Sequence, residues 1–204
     1  MKKIAVISTG GLAIAALAAV ILFRTMEAKE VQGGQDVSAR SAKSLQQKID
    51  AIKKAESNPN HKRGSSRIEI SEAELESYLL ISLKDDIPAQ IDSADVQLGQ
   101  DTVALDTQIT FNSGATSNPV VDTLIGGTHN LFLKGKLVAR DARGKFELQD
   151  VKVDGIPVPN VLIQTLFKKY VKPKYPDADL DEPFDLPWGM QEIKVQPKKA
   201  TVVY

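Results

Sequence analysis

Thr102-Val103-Ala104-Leu105-Asp106-Thr107-Gln108-Ile109-Thr110-Phe111 is the stretch that decides the fold. Val103, Leu105, Thr107, Ile109 and Phe111 alternate with Thr102, Ala104, Asp106, Gln108 and Thr110. A period of two sends one side of a strand into a core and leaves the other in water. Just upstream, Val96 and Leu98 lead into the turn Gly99-Gln100-Asp101, which makes this the second arm of a hairpin. Downstream, Leu131, Leu133, Gly135 and Leu137 repeat the alternation against Asn130, Lys134 and Lys136. Asp141-Ala142-Arg143-Gly144 follows as a second hairpin turn, with Gly144 expected to supply the positive φ. The return strand, from Lys145, has apolar positions at Phe146 and Leu148 and then at Val151 and Val153. That change of phase at Gln149-Asp150 predicts a β-bulge, and bulged long strands curve.

Helical signals flank the hairpins. Arg67 to Ile70 reads as a short strand, and Ser71-Glu72-Ala73-Glu74 as a capping box, with Ser71 and Glu74 each satisfying a backbone amide near the other. A helix then runs to about Lys84, apolar through Leu75, Tyr78, Leu79, Leu80, Ile81 and Leu83. After Gly155-Ile156-Pro157-Val158-Pro159, a second helix reaches about Val171, with Pro159 in its first turn and Leu162, Ile163, Leu166, Phe167 and Tyr170 on one face. A proline-rich loop spans 172–187, and two short strands, Gln191 to Gln196 and Thr201 to Tyr204, close the chain. The fold class is therefore α+β, a curved antiparallel sheet of long hairpins wrapped around one or two helices.

The first residues are of another kind. Met1-Lys2-Lys3 precedes an uncharged run from Ile4 to Phe23. At about 1.5 Å per residue this run reaches about 30 Å, the thickness of a hydrocarbon core. The flank Met26-Glu27-Ala28 is a poor small-x-small cleavage site, which favours an uncleaved transmembrane helix over a cleaved signal peptide. Lys2 and Lys3 orient the span with its N-terminus in the cytoplasm. The expectation is a single-pass protein of the inner (cytoplasmic) membrane with an extracytoplasmic domain; export after cleavage is the alternative. Residues 31–37 read as a flexible spacer. Leu45, Ile49 and Ile52 form a thin stripe over 38–56, read as a stalk helix that ends at the breaker run 57–66. The expected organisation is thus 1–24 anchor or signal, 25–66 spacer and stalk, and 67–204 folded domain.

Lys plus Arg and Asp plus Glu both number 26, so no net field attracts nucleic acid, and no nucleic-acid partner is expected. Cysteine is absent, which removes disulfides, thiolate nucleophiles and cysteine-based zinc sites. His61 and His129 have no HExxH context and read as surface residues, and no G-x-S-x-G turn exists for a serine nucleophile. Asp177, Asp179, Asp181, Glu182 and Asp185 offer oxygen ligands but lack the spacing of a calcium loop. No metal, no cofactor and no enzymatic activity are expected. Lys168, Lys169, Lys172 and Lys174 either solvate a helix end or meet lipid head groups. The segment 118–127, from Asn118-Pro119 to Gly126-Gly127, is either a lid or a loop covering the sheet edge.

The order of elements resembles that of the LmeA-like phospholipid-binding proteins and of the YpmS- and YceB-type envelope proteins, which are similar to tubular lipid-binding folds. The resemblance covers residues 67–204. It rests on Ile68 to Leu79, on Val153-Asp154-Gly155-Ile156-Pro157-Val158-Pro159 and on Leu186-Pro187-Trp188-Gly189-Met190-Gln191-Glu192-Ile193-Lys194-Val195. It implies a sheet around a long helix with an apolar groove for acyl chains. The groove residues expected from the strand and helix stripes are Val103, Leu105, Ile109, Phe111, Leu131, Leu133, Leu137, Leu162 and Leu166. Such stripes more often describe an ordinary filled core. A phospholipid or other hydrophobic ligand bound without catalysis is the leading functional expectation. The rival is a structural or assembly subunit of an envelope complex with a filled core; which protein partner it would hold is not readable from the sequence.

Overall fold

A computed structural model describes residues 37–82, 90–111, 127–168, 172, 179, 180 and 182–204. Its elements in chain order are α1 (Ala39–Glu56), β1 (Arg67–Ser71), α2 (Glu72–Ser82), β2 (Gln90–Leu98), β3 (Thr102–Phe111), β4 (Gly127–Arg140), β5 (Arg143–Val153), β6 (Ile156–Pro157), α3 (Asn160–Leu166), β7 (Phe184–Asp185), β8 (Glu192–Gln196) and β9 (Lys199–Val203). The described pairs are all antiparallel and form one curved sheet, which with its helices gives an α+β fold.

The long strand β4 organises the sheet. Along one edge its first ten residues pair with β3, from Gly127↔Phe111 to Lys136↔Thr102, and beyond them Ala139 pairs with Ile193 of β8. Its other edge pairs with β5. A single strand therefore joins the two hairpins to the small sheet β8-β9-β1, in which β9 lies between β8 and β1. The predicted bulge is present. Lys134 pairs with Asp150 and Gly135 with Leu148, so Gln149 is the extra residue, and a second irregularity lies between Ile91 and Ser93 on β2.

The turn between β4 and β5 differs from expectation. Asp141 and Ala142 themselves carry the positive φ, 52° and 60°, as a tight two-residue hairpin requires. Gly144 instead pairs with Ala139 and sits under the Phe184 ring, where a Cβ would meet ring atoms at 2.5 and 2.6 Å.

The capping box at the start of α2 is made as predicted: the Ser71 amide donates to Glu74 Oε2 at 2.9 Å and the Glu74 amide donates to Ser71 Oγ at 3.3 Å. The same helix serves the sheet edge, since Glu72 and Glu76 accept from the amides of Leu98 and Val96 at 2.7 and 2.9 Å. Backbone donors that would otherwise template another strand are thereby satisfied.

The helix read as a stalk is not one. Leu45, Ile49 and Ile52 are buried to 0, 2 and 2% exposure in the main core, in one cluster with Tyr78 and Leu79 of α2 and Val96 and Leu98 of β2. Lys48 reaches Glu74, and Tyr78 donates to Gln46 Oε1 at 3.0 Å. A stripe three residues wide suffices because α1 needs only one line of contact, its remaining faces staying in water. The folded unit therefore includes 39–66. Among the described residues no helix is long and apolar enough to cross a membrane; the span expected at 4–23 lies outside them.

Candidate functional site

Strand registers place the predicted groove residues of β3 and β4 on one face. Val103, Leu105, Thr107 and Ile109 of β3 stand opposite Gly135, Leu133, Leu131 and His129 of β4. Leu131 and Leu133 in turn stand opposite Val153 and Val151 of β5. Because strand side chains alternate, Val96, Leu98, Leu137, Phe146 and Leu148 share that face. The opposite face is polar, carrying Asp95, Asp106, Gln108, Lys134 and Glu147.

This face divides along its length. Near the hairpin turns, Val103, Leu105 and Leu137 pack on the main core with α1 and α2, so these three predicted residues act as core. Farther along, Leu131, Leu133, Leu148, Val151 and Val153 are half-buried and stand outside the main core cluster; Ile109 beside them is buried. Leu162, expected to face the sheet, is 47% exposed on α3. Phe111 ends β3 and Leu166 ends α3, and their side chains fall outside the described residues. The lid candidate 118–126 is also outside them, and Gly127 opens β4.

At the far end of this strip the chain is pinned by a local network. The Asn130 amide donates to Asp154 Oδ1 at 2.9 Å, and the Asp154 amide returns a bond to the Asn130 carbonyl at 2.8 Å. His129 Nδ1 lies 2.7 Å from Asp154 Oδ2. The hydrogen bond with His129, with that from Asn130, holds the Asp154 carboxyl below its usual range. His129, read from sequence as a surface residue, is therefore a half-buried tie between β4 and the β5–β6 turn. Nothing local marks it, because the contact spans 25 residues and depends on strand register. His61, also read as surface, stacks on Tyr204 with ring centroids 5.6 Å apart.

Concavities among the described residues include two. A cleft of ≈ 320 Å³ beside the β5–β6 turn is lined by Asp106, Asn130, Phe132, Lys152 and Gly155, with Lys152 Nζ 5.2 Å from the Phe132 ring centre. A second, of ≈ 40 Å³, lies between His61, Arg63, Trp188 and Tyr204, room for about one water. Among the described residues no group of three or more His, Cys, Asp or Glu side chains could hold a metal. In the acidic stretch, Asp185 faces Arg143 at 3.7 Å, whereas Asp177 and Asp181 are outside the described residues. Of the lysines after α3, Lys168 is exposed and Lys172 half-buried.

No family model and no curated protein matches the chain. Among solved structures, the crystal structure of lipopolysaccharide binding protein overlays 67% of this chain and 39% of that one, at 10% identity with a TM-score of 0.25. This chain thus spans well under half of that structure, and so loose an overlay carries no argument about ligand or fold.

Proposed function

We propose that this protein binds a lipid or another elongated hydrophobic ligand, without catalysis, along the apolar face of β3–β5, and that residues 4–23 hold it in a membrane with the domain on the extracytoplasmic side. One observation supports the ligand reading above the others: the apolar strip continues through Leu131, Leu133, Val151 and Val153 after the main core has ended. From His129 to Leu133 this part of the face extends about 14 Å at strand rise, room for a large part of an extended acyl chain.

The test uses the full-length protein extracted in mild detergent, with co-isolated lipids identified by mass spectrometry and exchange followed with a fluorescent acyl probe. Leu133→Asp, which places a charge in the strip, is expected to weaken probe binding about tenfold or more. Leu133→Trp, which fills the strip while keeping it apolar, should do the same with the fold intact by circular dichroism. Parent protein that carries no lipid and takes up no probe would overturn the ligand reading. Retention of the parent in membranes after alkaline carbonate washing tests the anchor separately.

The rival role, a scaffold that recruits a partner strand through an open sheet edge, loses part of its template. The donors of β2 at Val96 and Leu98 are already occupied by Glu76 and Glu72.

A further inference from the structure

Large hydrophobic side chains well exposed among the described residues are Val138, Ile156, Val161 and Leu162, at 37, 70, 80 and 47%. Three of these four fall within 156–162, on β6 and the first turn of α3. A side chain as large as Val or Ile is ordinary on a surface when isolated, but a cluster at one corner marks a contact. The segment is stiffened by Pro157 and Pro159 and held by the bonds of Asp154 to Asn130 and His129. Lys168, exposed, follows on the same arm.

The position of this corner suggests what it meets. Val37, the first described residue, packs against the small cluster of Ala42, Leu80 and Ile81, as Ile91 and Ala94 do. Ile91 pairs with Ile109, Ile109 with His129, and His129 bonds Asp154, two residues before Ile156. The chain preceding Val37 therefore enters the domain at the same level of the sheet as the apolar corner, three strand spacings or about 15 Å across. Residues 24–36, which connect the apolar run 4–23 to this point, reach at most about 45 Å when extended. A membrane crossed by 4–23 therefore lies within about 45 Å of Val37 and within about 60 Å of the corner.

We propose that Ile156, Val161 and Leu162 seat in the boundary between head groups and acyl chains of the same bilayer, with Lys168 facing anionic head groups, so that the domain stands on the membrane by two contacts. This rests on the anchor reading of 4–23 and not on the ligand reading. Amphipathic surface segments bind bilayers through apolar area together with basic charge.

The absence of cysteine allows a single thiol to report on one position. Full-length Val161→Cys and Val138→Cys are labelled with bimane and reconstituted in vesicles of equal parts phosphatidylcholine and phosphatidylglycerol; Val138 lies near the opposite end of β4. The probe at 161 is expected to shift to the blue, to be quenched by doxyl-labelled lipid in proportion to its fraction in the bilayer, and to resist aqueous iodide. The probe at 138 should behave oppositely. Adding Lys168→Glu should return the 161 probe toward iodide access. Equal iodide access at both positions overturns the proposal, as does shielding that appears only with rising protein density, which would mark a second copy instead. Quenching that saturates at one lipid per protein also overturns it, since that signals a carried ligand. Release of the parent by carbonate removes the tether on which the proposal stands, while leaving the test of acyl-probe binding unaffected.

Discussion

Glu74 is 9% exposed and carries more of the fold's logic than any other charged side chain. Burial pushes its carboxyl pKa up, but hydrogen bonds from Lys48, Ser44 and the Ser71 amide, with the Lys48 charge, outweigh that and hold it below its ordinary value of 4.5. A carboxyl with a lowered folded pKa contributes stability above its unfolded pKa and loses it as pH falls through the folded one. Glu74→Gln keeps the shape and removes the charge. It should cost about 1–3 kcal/mol at neutral pH in denaturant unfolding, because Lys48 and the helix start lose a charged acceptor. The variant's stability should also vary less than the parent's between neutral pH and the region below 4.5. A parallel fall of both curves with acid would show that other carboxylates dominate. Ala142, with φ 60°, is the residue at which the chain departs from its own best turn chemistry. Ala142→Gly should stabilise by about 0.5–1 kcal/mol, because a left-handed position is strained for alanine and free for glycine.

At the level of elements, the sequence was most informative where periodicity and local chemistry agree. The strand at 102–111, the capping box at Ser71 and Glu74 and the bulge at Gln149 could all be read directly, since each depends on residues close in sequence. The role of α1 could not. A narrow apolar stripe is compatible with a solvated stalk or with one line of packing, and only the partner surface, Tyr78, Leu79, Val96 and Leu98, separates them. Leu45→Ala should cost about 2–5 kcal/mol in unfolding of the whole domain, as deletion at a fully buried site does, whereas in a stalk it would be silent. The β4–β5 turn was placed correctly but given the wrong glycine, because Gly144 is required by the Phe184 ring above it, a contact 40 residues away that local turn rules do not contain.

Across the whole molecule, the same nine predicted groove residues were legible as apolar and one-sided but not as core or ligand surface. Val103, Leu105 and Leu137 went to the core because they pack against the cluster to which α1 contributes Leu45, Ile49 and Ile52, and α1 had been placed elsewhere. Leu131 and Leu133 differ only in standing farther from the turns, a matter of register along β4 that hydrophobic pattern does not record. The exposed corner at Ile156, Val161 and Leu162 was hidden for the opposite reason: Leu162, after two prolines, read as part of a docking helix face, and the corner's exposure depends on everything that fails to cover it.

The insertion of β9 between β1 and β8 also governs how quickly the protein can reach its shape. Ion pairing of Lys199 with Glu69 closes a separation of 130 residues, and the helices and hairpins in between can form beforehand without completing the core. Topologies dominated by such distant partners fold in milliseconds to seconds, not microseconds. Until the last strand pairs, the core cluster that Val96 and Leu98 of β2 share with Val195 of β8 and with Ala200 and Val202 of β9 is incomplete. During that interval the molecule is most open to chaperones, proteases and self-association, and a refolding trace should show its slowest phase when β9 docks.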